Sequence, residues 1–350
     1  MARWLHIVLC AAVSGSAAAA CRPPPLPEPL RRGAALESRG KDREALAAYD
    51  ELLRGCRGSD DLPCRLAGLR AAESLERLGR RREALRRYLA LRRTTQDRET
   101  AARSQDRAAE LLEREGKLKE ALQLSRQVIE SFPSEVAAED ALRRLLRIQR
   151  SGLRRPDGET AHILLELYRD LGGTAIGDNL LFEAASIYRR NHHSKEAIAL
   201  LDQLAARYPR SPLLDDALWH GAQLCEERSD WDGALLRYGR LLAMRRDALL
   251  IGSYDSVYLD DAQLRIGVIR LEQLHDAQGA LAAFELLRDD FPTSTLRDDA
   301  QLWIAEIYRR RRDTRAACAA LERLLRSFPD GNQVTRAREL ARTLGCRGDR

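Results

Sequence analysis

The sequence predicts an all-α fold, a right-handed superhelical solenoid of about eight helix-turn-helix units. Three observations predict it. An alanine recurs in one setting: Gly40-Lys-Asp-Arg-Glu-Ala45-Leu, Gly79-Arg-Arg-Arg-Glu-Ala84-Leu and Gly116-Lys-Leu-Lys-Glu-Ala121-Leu, then Ala197, Ala234, Ala280 and Ala317 in looser versions. The intervals are 39, 37, 76, 37, 46 and 37 residues, and self-similarity at such a period belongs to a stack of identical supersecondary units. Four of the units close on an aromatic that packs and a proline that cannot continue a helix: Phe132-Pro133, Tyr208-Pro209, Phe291-Pro292 and Phe328-Pro329. Finally, the 44% hydrophobic content is mostly Leu and Ala, with only 5% aromatics and no alternating β-branched runs.

Residues 1–20 read as an export signal. Arg3 supplies the positive start, and Trp4 to Val13 is an apolar stretch too short to span a bilayer permanently. Small residues from Ser14 lead to Ala18-Ala19-Ala20, and Cys21 follows at once. Two processing routes fit. Ordinary signal-peptidase cleavage after an Ala-x-Ala pattern would give a soluble periplasmic protein. The bacterial lipoprotein route would cut before Cys21 and lipidate its thiol, although Ala18 stands where that route prefers leucine. Residues 21–30, Pro-rich from Pro23 to Pro29, read as a stiff tether behind a lipid-attachment site at Cys21. Arg22, in place of an aspartate, fits the periplasmic face of the outer membrane.

Residues 31–115 carry the N-terminal repeats, with 96–116 expected as one long polar helix bridging the second and third. Residues 116–345 carry the C-terminal repeats. The interval of 76 hides a blurred copy around Asp157 to Ala161, with a hinge expected near Gly152 to Pro156. The interval of 46 holds an insertion near 245–258, with Ile251 to Tyr254 as its loop. The clearest copy is the last: helix A over Asp298–Tyr308, a polar turn over Arg309–Asp313, and helix B over Ala316–Phe328, stopped by Pro329. The recurrent alanine has a steric cause, because two helices in a tight hairpin approach closely only where one presents Ala or Gly.

With these residues in view, the chain resembles the tetratricopeptide-repeat proteins, whose units carry small residues at positions eight and twenty, an aromatic at eleven and proline at thirty-two. Ala305, Tyr308, Ala317 and Pro329 match if Asp298 is first, and Tyr188, Ala197 and Pro209 match in the 176–212 copy. The copy around Ala234 departs, with Cys225 at the aromatic position and Arg246 at the proline position. The phrase Tyr208-Pro-Arg-Ser-Pro-Leu-Leu-Asp-Asp-Ala217, echoed from Phe291 to Ala300, is similar to the periplasmic subgroup that includes BamD of the outer-membrane assembly machinery and YbgF of the Tol–Pal system. That similarity covers about residues 116 to 340. It implies a non-enzymatic scaffold for protein–protein interaction in the bacterial envelope, concerned with outer-membrane protein assembly. One alternative is a cell-wall (peptidoglycan or Tol–Pal) accessory that recruits or regulates an enzyme, and a third reading is an enzyme with its site in the blurred 150–180 region.

The remaining chemistry is sparse. There are 59 basic residues, all but four of them arginine, against 53 acids. Clusters such as Arg80-Arg-Arg82 and Arg309 to Arg312 read either as a basic face for anionic lipid or nucleic acid, or as arginine interleaved with glutamate on solvated helix faces. The near balance of charge favours the second, so no nucleic-acid partner is expected. Cys56 and Cys64 could close a disulfide over the link between the first two repeats, contributing roughly 2–3 kcal/mol, or could be two separate core-facing residues. Cys318 and Cys346 are a further pair, and Cys225 reads as a buried apolar residue. No Cys-x-x-Cys, Gly-x-Gly-x-x-Gly, P-loop, His-Glu-x-x-His or Gly-x-Ser-x-Gly occurs, and His192-His193 falls in a turn. No catalytic residue, metal, cofactor or small-molecule substrate is expected.

One constellation is a candidate site. Asp140, Asn179, Asp216, Asp261 and Asp299 recur at the starts of successive A helices, with Phe182, Trp219 and Leu302 three residues on in three of them. On one wall of a concave groove they would make an acidic edge with apolar sockets, suited to an extended or helical peptide of an envelope partner. The competing reading is helix-dipole stabilisation by first-turn acids, about 0.3–1 kcal/mol each.

Overall fold

The computed structural model describes residues 25–56, 58–251 and 256–346, with the side chains of 245–251 outside that description. The expected export signal, Cys21, the first part of the tether through residue 24, and Gly252 to Tyr254 lie outside the described residues. Every regular element among the described residues is helical. The chain divides into two compact units, the first ending at Val128 and the second beginning at Ile129. In the first, α1 (Glu28–Glu37) pairs with α2 (Asp42–Cys56), α3 (Leu62–Arg77) pairs with α4 (Arg81–Thr94), and α5 (Arg98–Arg114) leads into α6 (Leu118–Ser131). The second contains α7 (Val136–Arg147) with a π-helical turn (Ile148–Gly152), then α8 (Asp157–Leu171), α9 (Gly177–Arg190) and α10 (Ser194–Arg207). It continues through α11 (Leu214–Glu227), α12 (Trp231–Ile251), α13 (Leu259–Glu272), α14 (Ala277–Asp290), α15 (Arg297–Arg310) and α16 (Thr314–Ser327), and α17 (Val334–Leu344) covers the last pair. Within each unit the principal packing is between helices consecutive in the chain, as in a stack of helical hairpins.

The recurrent alanine is a packing contact. Ala45, Ala84, Ala121, Ala197, Ala234, Ala280 and Ala317 are all 0% exposed, and Ala161 of the blurred copy is 1% exposed. The partner helix approaches closely enough to require glycine in two pairs. A Cβ on Gly33 would lie 2.4 Å from Tyr49 Cε1, and one on Gly267 would lie 2.4 Å from Phe284 Cε1.

The link inside each hairpin demands one residue in the left-handed region. Gly40, Gly79 and Gly116 supply it in the first three pairs, at φ 71°, 73° and 75°. In the second unit the same position is held by Arg154, His192, Ser229, His275 and Arg312, at φ 51°, 58°, 59°, 54° and 60°. Each of these side chains meets the steric cost that glycine avoids, about 1–2 kcal/mol. The expected hinge at Gly152 to Pro156 is therefore the ordinary link of a hairpin, blurred in the sequence because α7 ends in a π-turn and arginine replaces glycine. The expected bridging helix at 96–116 is likewise corrected: α5 packs on α4 and buries Ala101, Ala102, Ala108, Ala109, Leu111 and Leu112, so it is a regular A helix with an unusually polar remainder.

Proline sets the B-helix length. α6, α10, α14 and α16 end at Ser131, Arg207, Asp290 and Ser327, each one residue before the aromatic-proline pair. Arg246 replaces the proline in the copy around Ala234, and there α12 continues to Ile251, 21 residues against 14 in α10 and α14. The first half of the insertion is thus extra helix.

Disulfides join Cys56 of α2 to Cys64 of α3 and Cys318 of α16 to Cys346 beyond α17. Cys225 is a free thiol in the core, where burial pushes its pKa up to about 11. The arginines are interleaved with acids: Arg80 with Glu83, Arg107 with Glu76 and Glu110, Arg310 with Glu272. No described helix is long and apolar enough to cross a membrane.

Candidate partner-binding cleft

The acids that open the A helices divide their work. In three of the A helices the first acid, Asp178, Asp260 or Asp298, clasps the link to the following repeat. Ser211 Oγ donates to Asp178 Oδ2 at 2.5 Å and Ser294 Oγ to Asp260 Oδ2 at 2.6 Å, while the Gln333 backbone N–H donates to Asp298 at 3.1 Å. The same serines accept an N–H two residues on, from Leu213 and Leu296 at 3.0 Å, so each hydroxyl fixes its own turn and the clasp together. This is the physical content of the echoed Ser-x-Leu-x-Asp-Asp phrase.

The second acid depends on the residue that precedes the next A helix. Tyr258 precedes α13 and donates its hydroxyl to Asp216 Oδ1 at 2.8 Å. Gln333 precedes α17 and donates Nε2 to Asp299 Oδ1 at 2.7 Å. Leu296 precedes α15 and has nothing to donate, which leaves Asp261 an exposed carboxylate. Partial burial of its carboxyl, and then Asp260, hold the pKa of Asp261 above the ordinary carboxylate value. Asn179 turns back on Asp178 at 3.1 Å, and Asp140 is exposed and paired with Arg143 at 2.6 Å.

Around Asp261 lies a cleft of about 480 Å³ lined by Arg189, Trp219, Gln223, Leu224, Glu226, Glu227, Tyr238, Asp261 and Arg265. Two rings, Trp219 and Tyr238, line it, and further aromatic side chains back them. Trp219 stacks on Tyr258 at 5.0 Å with 8° between planes and leans on Tyr238 at 5.4 Å. His220 links this group to Phe182, with ring centroids 6.3 Å from Tyr258 and 6.4 Å from Phe182. Tyr238 is fully buried and donates to Glu226 Oε1 at 2.6 Å, and Arg265 grips the same carboxylate through Nε at 3.1 Å and through Nη2. Burial, then Glu226, raise the Tyr238 pKa well out of the physiological range.

Arg189 Nη1 lies 2.5 Å from His220 Nδ1. A guanidinium only donates, so Nδ1 accepts from it and the proton of the neutral ring sits on Nε2, which requires the Gln223 amide, 3.1 Å from the same Nδ1, to present its N–H there. Burial, then the Arg189 charge, lower the His220 pKa, and the ring is neutral at neutral pH.

Of the residues picked out by the sequence, Trp219 and Asp261 line this cleft, while Asp216 bonds to Tyr258 and Phe182 lies near His220 behind it. Asn179 and Asp299 do not form part of it, since each is bonded within its own link. Leu302 is a correction: it is 4% exposed inside the core cluster of the last repeats and offers no socket. The half-buried neighbour on that helix is Trp303, stacked on Phe284 at 5.9 Å. The sequence reading missed Arg189, His220, Tyr238, Tyr258 and Arg265. One signal was available: Glu stands twelve residues before Tyr in Glu37/Tyr49, Glu76/Tyr88 and Glu226/Tyr238, and each pair is hydrogen-bonded at 2.6–2.7 Å.

Residues 180–211, 261–294 and 299–331 match the tetratricopeptide repeat family model, so the unit holding the cleft carries tetratricopeptide repeats. Solved structures that the chain matches include the C-terminal part of a tetratricopeptide repeat-containing protein from Cytophaga hutchinsonii, with 12% identity, TM-score 0.41, 88% of this chain and 98% of that one covered. A tetratricopeptide repeat protein from Parabacteroides merdae shows 14% identity, TM-score 0.29, and coverage of 91% and 98%. The human IFIT1 dimer with PPP-AAAA shows 14% identity, TM-score 0.39, and coverage of 91% and 72%. No curated protein matches the chain significantly.

Proposed function

We propose that the chain is a non-enzymatic tetratricopeptide scaffold of the bacterial cell envelope, and that its second unit holds a segment of a partner protein in the cleft around Trp219 and Asp261. The cleft carries this reading. Its lining rings, Trp219 and Tyr238, stand on α11 and α12 and are held by stacking and by the hydrogen bond to Glu226, and a half-buried tryptophan beside an unmatched acid suits an interaction hot spot. The cleft also borders the copy in which the repeat pattern is broken by the lengthened α12. The export signal and Cys21 support an address at the periplasmic face of the outer membrane as a lipoprotein. The similarity of the Tyr208–Ala217 and Phe291–Ala300 phrases to the BamD/YbgF-like subgroup supports a role in outer-membrane protein assembly.

The test is a photo-crosslinking amino acid placed in cells at Gln223, which is exposed in the cleft, and separately at Leu236, which is 64% exposed on α12. The expected result is a discrete protein adduct from position 223 that is absent from position 236. Identical adducts from both positions, or none from 223, would sink the proposal. For the address, Cys21→Ala should abolish labelling by a fatty acid and release the chain from membranes, and unchanged attachment would overturn the lipoprotein assignment.

A further inference from the structure

We infer that the partner segment is anchored by a basic side chain, an arginine or lysine whose stem lies on Trp219 and whose charged head sits between Asp261 and Glu227. The inference rests on the reading of the cleft as a partner site and adds the chemistry of the occupant.

Three carboxylates of the lining, Glu226, Glu227 and Asp261, face two guanidiniums, Arg189 and Arg265. One of each is already matched, because Arg265 and the Tyr238 hydroxyl both close on Glu226. Arg189 keeps its charge and turns one donor to the neutral ring of His220, so the lining carries one net negative charge, and Asp261 and Glu227 are the two carboxylates that Arg265 does not hold. Both of these acids are exposed, and Asp260, next to Asp261, adds to the negative field while its own oxygen is held by Ser294.

An anionic or purely aliphatic occupant would cover those carboxylates without a counter-charge, which is the costly way to desolvate an acid. A cation on an aliphatic stem satisfies both halves of the site at once. The stem covers the indole, the head meets the carboxylates, and the rings favour a positive charge at their faces. The raised pKa of Asp261 agrees with an acid that has no cation of its own.

The experiment uses the exported chain and two acetylated, amidated tripeptides, Leu-Arg-Leu and Leu-citrulline-Leu, which differ in charge but hardly in shape. Binding is read from the indole N–H resonance of Trp219, identified by its loss in Trp219→Phe. The arginine peptide is expected to shift that resonance and to bind about tenfold more tightly than the citrulline peptide. Asp261→Asn with Glu227→Gln should abolish the difference and leave the citrulline peptide unaffected. Equal binding of the two peptides, or an arginine preference that survives both acid substitutions, overturns the basic anchor while leaving the cleft as a peptide site. If neither peptide moves the resonance at concentrations up to ~10 mM, the cleft reading falls with it.

Discussion

Gly267→Ala and Gly239→Ala are the same chemical change in two helices, and the structure predicts opposite signs. In a helix interior alanine is favoured over glycine by about 0.8–1.0 kcal/mol. Gly239 lies in α12 with nothing within 4 Å of an added Cβ, so Gly239→Ala should gain nearly that amount. At Gly267 the new Cβ would lie 2.4 Å from Phe284 Cε1, 2.7 Å from Cζ and 2.8 Å from Cδ1. Carbon atoms pack at ~3.5–4.0 Å, so at least one ångström of separation must be found. The ring cannot supply it, being 0% exposed and stacked on Trp303. Overpacking of this kind costs about 1–3 kcal/mol, and after the gain in helix propensity a net loss of up to about 2 kcal/mol, near 1 at mid-range, remains. The assay is urea denaturation followed by circular dichroism, with hydrogen exchange of α13 and α14 to localise the effect, since stacked repeats need not unfold in one step. A matched rise in stability for both variants would refute the close-approach account of the hairpins.

Glycine at the left-handed links should stabilise the second unit: Arg312→Gly and His275→Gly are each expected to gain about 0.5–1 kcal/mol, whereas Gly79→Ala should lose about 1 kcal/mol. Melting of the three variants checks this, and a loss for Arg312→Gly would contradict the steric cost assigned to φ 60°. Replacing Cys318 and Cys346 by serine should cost at most about 3–4 kcal/mol, the loop-entropy value for a bridge of this span, and faster hydrogen exchange should be confined to α16 and α17. His220 has a folded pKa below its unfolded value, so the unfolded chain takes up the proton first, and the stability due to the neutral ring is lost as pH falls through about 6.5. The protection of the α11 amides, taken relative to their intrinsic exchange rate at each pH, should therefore fall between about pH 7 and pH 5 in the parent and much less in His220→Gln, and parallel profiles would discard the Arg189–His220 contact as the cause.

Local physics explains which parts of this structure could be read from the sequence. The buried alanines, the proline stops and the hairpin of the last repeat depend on residues close in the chain, and α15 and α16 fall within two residues of the expected helix A and helix B. The absence of proline at Arg246 was visible too, and its consequence is the long α12. The roles of the acids were harder to read because their partners stand 33 to 42 residues away: Ser211 for Asp178, Ser294 for Asp260, Tyr258 for Asp216. From first-turn position alone Asp216, Asp261 and Asp299 look equivalent. They differ because tyrosine, leucine and glutamine stand before the next A helix. Leu302 failed for a related reason, since neighbours distant in the chain decide which side of α15 is covered: Leu302 packs in the core and Trp303 is the half-buried residue beside it.

The central claim is that the cleft around Trp219 and Asp261 is where a partner is held. Its most direct test is the affinity, by calorimetry, of the protein crosslinked at position 223 for the parent chain and for the Asp216→Lys, Trp219→Ala double variant. The account predicts a loss of at least about thirtyfold, the size expected when an aromatic hot spot worth 2 kcal/mol or more is removed, with the helical spectrum unchanged. Equal affinity of the two folded chains for that partner would contradict it.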